Sequence, residues 1–234
     1  MKRVVALSLG LSALAVAWLG VLPALVPGPF SAHMALHMAV VAIAAPLLAL
    51  GMAQSRLDPA RLAPRLFSPV PASIVELVVV WGWHTPALHH AARHAALGFA
   101  LEQGSFMLSA LWLWCSAFGG APHERAERRG AGILGLLLTS MHMTLLGALL
   151  ALPPRVLYVH GAQGGGHAAH GGHTAALDPL GDQHLGGAIM IVLGGASYLV
   201  GGLWLAAGLL RGRASATGRG STARLLAPRA ERPR

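Results

Sequence analysis

Apolar runs of about 20 residues recur six times along this 234-residue chain, and that is the length of helix needed to cross a bilayer core of roughly 30 Å. The pattern dictates an all-α polytopic membrane bundle of about six transmembrane helices. Composition agrees, with 55% hydrophobic residues, 11% charged residues and a mean hydropathy of +0.60, which together exclude a soluble globular domain.

The spans fall at about residues 4–26, 32–53, 68–84, 98–118, 131–152 and 183–210. Breakers separate them: Pro27-Gly28-Pro29, the crowd of Pro59, Pro64, Pro69 and Pro71, then Pro122 and the Pro153-Pro154 pair. If the spans alternate, fifteen basic residues share one side: Lys2, Arg3, Arg56, Arg61, Arg65, Arg125, Arg128, Arg129 and the seven arginines after residue 210. Only Arg93 and Arg155 lie opposite. The positive-inside rule therefore puts both termini in the cytoplasm. The first run follows Lys2 and Arg3 but is too long for the apolar core of a signal peptide, so it reads as a signal anchor. Residues 1–210 form the bundle. Residues 211–234, rich in Arg, Ala, Gly, Ser and Pro, read as a disordered basic cytoplasmic tail, a topology anchor that could also meet anionic lipid headgroups.

The net charge of +9 does not point to nucleic acid, because the basic residues are spread over connectors and tail rather than gathered on one face. Cys115 is the only cysteine, which rules out an internal disulfide, a CxxC metal clasp and a thiol redox pair.

Eleven of the thirteen histidines fall in loops or near span ends on the side opposite the arginines. His33-Met34 and His37-Met38 form an HMxxHM pattern at the start of span two, where i, i+4 spacing stacks the two imidazoles on one helical face. Imidazole with thioether suits copper, and the thioether favours Cu(I). The alternative has the methionines filling core space and the histidines at headgroup level. His84 ends span three, with Glu76 about two turns deeper; an ionisable group inside a span faces a partner or a wet cavity, unless it is a hydrogen-bonded structural acid. Glu102, near the end of span four, can snorkel to the interface. Met141-His142-Met143 lies mid-span, where consecutive residues diverge around the helix, leaving His142 as the inward candidate or as a structural histidine. The loop carries His167, His170 and His173 in a glycine-rich tract that gathers metal loosely, and span six opens on Asp182-Gln183-His184 at the level of His33, His37 and His84. No catalytic triad, phosphate loop or zinc-protease motif is present.

From about His33 to Leu199 the chain resembles the polytopic CtaG-like family of cytochrome c oxidase assembly factors, distinct from the single-span copper chaperone that shares the name. The likeness rests on HMALHM followed by AAPLLALGM, on WHTPALHHAA, LEQGSFMLSALWLW and LLGALLALPPRVLY, and above all on DQHLGGAIM. It implies a role in maturing the haem-copper oxidase, with oxidase subunits as partners, in the bacterial inner membrane, and it carries over His33, His37, His84 and the Asp182-Gln183 pair. Two positions depart from the pattern: Gln103 stands where a histidine is expected after the glutamate, and Ile191 where a tryptophan often follows the methionine.

The reading is a membrane protein, not an enzyme, that holds copper transiently through His33, Met34, His37, Met38, His84, His142, Asp182 and His184, with Glu76, Glu102 and the loop histidines secondary. A membrane cytochrome with a deep bis-histidine haem is disfavoured because His142 alone among the histidines lies deep in a span, while a haem near the outer surface stays open as an alternative. A metal or proton transporter working through Glu76 and His142 is the other alternative, with no internal repeat to support it.

Overall fold

The computed structural model describes residues 2–20, 29–158 and 178–226. Its helices are α1 (Lys2–Leu19), α2 (Phe30–Met52), a short α3 (Pro59–Leu62), α4 (Pro69–Trp83), α5 (Pro86–His94), α6 (Ala96–Phe118), α7 (Arg125–Ala151) and α8, which runs through Pro179–Ile189, Met190–Gly194 and Gly195–Leu226. No strand occurs among the described residues. Five of these helices are long and apolar enough to cross a membrane. α4 is the exception, because 15 residues rise only about 22 Å. The first helix closes at Leu19, short of the expected 26, and residues 21–28 lie outside the described set. The backbone of α8 stays helical beyond residue 210, through Leu226.

The long helices and α4 alternate in direction, so the bundle has two polar ends. Asp58 meets Gly120, Arg128 meets Phe67 and Arg129 meets Gly208 at what we term the arginine end. Asp182 meets Phe30 and Tyr158 meets His84 at the histidine end. The core between them is apolar and includes Met38, Val40, Val41, Leu113, Trp114, Leu136 and Met143.

Two wide helical turns, Ala39–Ala44 in α2 and Met190–Gly194 in α8, touch one another. Pro46 helps to explain the first, since proline has no N–H for the carbonyl of Ala42 and its ring crowds that carbonyl. In hydrocarbon a freed carbonyl needs another donor. Ser197 Oγ donates to Ala42 O at 2.7 Å, and Trp114 Nε1 donates to Val41 O at 3.2 Å. α7 and α8 then approach closely through glycine: a Cβ on Gly187 would lie 2.6 Å from the backbone nitrogen of Ala151, the close helix contact that small residues permit in membranes.

Candidate metal centre

The histidine end is assembled by the DQH segment of α8. The first-turn N–H groups of α2 have no partner within their own helix, and Asp182 supplies one from across the bundle. Its Oδ2 accepts from Phe30 N at 2.5 Å and its Oδ1 from Ser31 N at 3.2 Å and from the Ser31 hydroxyl. Gln183 Oε1 accepts from Leu157 N at 2.6 Å, while its Nε2 donates to Leu150 O at 3.1 Å. His184 Nε2 lies 3.0 Å from Pro153 O, and since a carbonyl only accepts, that nitrogen carries the proton. Three consecutive side chains thus anchor the start of α2 and the chain leaving α7. This fixes the rotation of α2 and with it the direction of His33 and His37.

His33 points to α6 and α5. Its Nε2 lies 3.4 Å from Glu102 Oε1, and donor atoms of His33, His89 and Glu102 all fall within 4.8 Å of one another. All three residues are buried. The rings of His33 and His89 are 5.1 Å apart, edge to face. Phe30 and Tyr158, stacked at 4.7 Å, close this group from one side, and Tyr158 also packs on His89 at 4.6 Å. One turn deeper, His37 sits 5.4 Å from the ring of His84 and 4.0 Å from Phe106. His84 Nδ1 is held by Val80 O at 2.6 Å, which leaves Nε2 as its free nitrogen. Both ring nitrogens of His37, Nδ1 of His33, Nε2 of His84 and Oε1 of Glu102 are buried without a hydrogen-bond partner among the described residues. A buried unpaired polar atom costs about 1–3 kcal/mol, and these five leave ligand atoms open toward one another. The donors are imidazole and carboxylate, which fit a borderline transition-metal ion.

Arg93, on α5, brings a positive charge to the edge of this group. Burial pulls its guanidinium below the ordinary arginine value, while the charges of Glu102 and Asp182 pull the other way.

The expected site residues therefore separate. His33, His37, His84 and Glu102 converge. Met34 and Met38 are buried but face α8, Met34 Cγ beside Gly186 and Met38 Sδ beside Gly194. Adjacent residues on a helix diverge by about 100°, so the two methionines form their own stripe, separate from the imidazoles. Asp182 and His184 are engaged in the anchoring bonds already described. His142 is buried with both ring nitrogens unpartnered among the described residues, one turn from Thr139 on α7, and does not join the His33 group. Its neighbours diverge as the helix requires: Met143 is fully buried and Met141 is 69% exposed. Glu76 Oε1 accepts from Tyr198 at 2.5 Å, next to the Ser73–Thr139 pair at 2.8 Å, while its Oε2 is buried without a hydrogen-bond partner among the described residues. His167, His170 and His173 lie outside the described residues.

His89 is the member that the sequence analysis missed. A signal existed: α5 is a short amphipathic helix whose buried residues are His89 and Ala92, and that spacing places a histidine on the inward face of a segment that otherwise looks like a loop.

The family profile described as cytochrome c oxidase caa3 assembly factor (Caa3_CtaG) matches residues 1–212. No curated protein and no solved structure gives a significant match to the chain.

Proposed function

We propose a copper-handling role on one premise: the chain belongs to the family of cytochrome c oxidase caa3 assembly factors. The role is to hold a copper ion in transit, as cargo, at the histidine end and to release it to the maturing oxidase. The observation that carries this reading is the buried set of His33, His89 and Glu102 within 4.8 Å, with His37 and His84 one turn deeper. Two imidazoles and a carboxylate accommodate Cu(II) as readily as Cu(I); the thioethers of Met34 and Met38 are left to packing. Holding and release need no turnover chemistry. Three protein ligands leave a coordination position through which a better site can take the ion.

The same reading sets the orientation. The arginine end faces the cytoplasm of a bacterial inner membrane, so that the histidine end meets the periplasmic side from which copper arrives. Alkaline phosphatase fused after Arg128 should be inactive, and activity there would reverse the topology. The decisive test of function is copper per haem in oxidase purified from a strain lacking this protein. The ratio should fall while oxidase subunits remain in the membrane, and added copper should restore part of it. A normal ratio with normal activity overturns the proposal.

A further inference from the structure

α5 carries two histidine registers, one residue apart. The first, His89 with Arg93, turns inward to Glu102. The second, His90 with His94, turns outward, and both of its residues are exposed. Their rings nevertheless lie together, with centroids 3.9 Å apart and planes inclined by 31°. His94 Nδ1 sits 2.8 Å from His90 O. A carbonyl cannot donate, so Nδ1 holds the proton and Nε2 carries the lone pair of the neutral ring. A histidine with one nitrogen tied to a carbonyl and the other open is oriented to receive a metal. The i, i+4 spacing is also that of two histidines which chelate one ion from a single helical face. α5 has no acidic residue, so no carboxylate on that helix competes for the pair.

We propose that His90 and His94 form a second, surface metal site, which captures a borderline divalent ion such as Cu(II) from the aqueous side and holds it beside the buried set. Consecutive Cα atoms are about 3.8 Å apart, and their side chains differ by about 100° around the helix. An ion on His90 therefore sits on the outer face of the helix whose inner face carries His89. The handing-on step rests on the copper-handling role proposed above; capture at the surface does not.

The test uses full-length protein with a non-histidine affinity tag and with His160, His167, His170 and His173 changed to Gln, so that the loop contributes no imidazole. The protein is loaded with Cu(II), desalted and challenged with EDTA. About two equivalents are expected, one stripped rapidly from the surface and one slowly from the buried set. Changing His90→Gln and His94→Gln together should remove the rapidly stripped equivalent, and either change alone should weaken it at least about tenfold, since the chelate needs both rings. Helical circular dichroism and the melting temperature should stay unchanged, because both residues are exposed. Retention of the rapid equivalent in the double variant overturns the surface site. A double His33→Gln, His89→Gln variant should lose only the slow equivalent. If no protein shows a slow equivalent while the rapid one depends on His90 and His94, the buried set fails as a copper site and the surface site stands.

Discussion

The arginine end buries Asp58 and the histidine end buries Glu102, and these two carboxylates are treated in opposite ways. At the arginine end, Asp58 Oδ2 accepts from Gln54 N at 2.7 Å and Gly120 N at 3.1 Å, while Oδ1 accepts from Ala60 N at 3.0 Å. These bonds tie the end of α2, the start of α3 and the turn after α6 into one knot. Gly120 enters it at a φ of 101°, which a side chain rarely tolerates. Arg128 adds bonds to Glu124, Phe67 O and Pro64 O. At the histidine end, Glu102 Oε1 and four ring nitrogens of His33, His37 and His84 are buried without hydrogen-bond partners among the described residues. A polar group whose bonds are all made stabilises the fold. A group of donors left unmade weakens it and is retained for another reason.

That contrast can be broken most easily at Asp58. Asp58→Ala strips three backbone N–H groups of their acceptor and should lower the unfolding free energy by about 3–5 kcal/mol, read as a large drop in melting temperature in detergent. A small change would mean that the arginine end is not a structural knot.

Asp182→Ala tests the contrast within the histidine end, because Asp182 has its hydrogen bonds made yet sits beside the candidate metal set. Losing a helix N-terminal acceptor should cost about 1–2 kcal/mol. Copper binding should weaken with it, since His33 is one turn from the released terminus. Wild-type binding in that variant would show that α2 is positioned by packing alone.

His37→Leu sharpens the comparison through its sign. Removing a buried imidazole with no hydrogen-bond partner should leave stability within about 1 kcal/mol or raise it, while oxidase maturation falls in complemented cells. A loss of both would place His37 among the structural groups.

The smallest effect is at Glu124, whose carboxyl is held below its ordinary value of 4.5 by the hydrogen bond from Arg128. A depressed acid stabilises the fold above its unfolded value and loses that contribution as pH falls through its folded one. The melting temperature should therefore decline slightly below about pH 4.5, and Glu124→Gln should reduce that decline. Equal acid sensitivity in the variant would assign the decline to another group.

Much of the architecture was legible because lipid imposes strict rules. Twenty-residue apolar runs gave the helices and proline clusters gave their ends, while repeated crossings placed the histidines opposite the arginines. α4 is the short one, as its expected span of 68–84 implied, since its apolar run is interrupted at Trp83 by the His84-Thr85-Pro86 turn that leads into α5. The site was legible only in part. His33, His37 and His84 stood out by residue type, and the HMxxHM spacing correctly predicted that the two imidazoles share a face. It could not say that the methionines face α8 instead, because helical phase relative to a neighbour depends on where the helix begins. That start is set by Asp182, 152 residues away in sequence from Phe30.

The sequence by itself determined that this chain is a helical membrane bundle with chemically unlike ends, because hydrophobic length, charge bias and the need to satisfy backbone groups in hydrocarbon are properties of local composition. Tertiary structure alone decided which polar residues belong to the scaffold and which form the candidate site. Asp182 and His184 look like ligands in sequence and, with Gln183, make bonds that anchor α2 and the chain leaving α7, whereas His89 looks incidental and joins His33 and Glu102. Burial and hydrogen-bond pairing are set by contacts between distant segments, and no local pattern of residues encodes them.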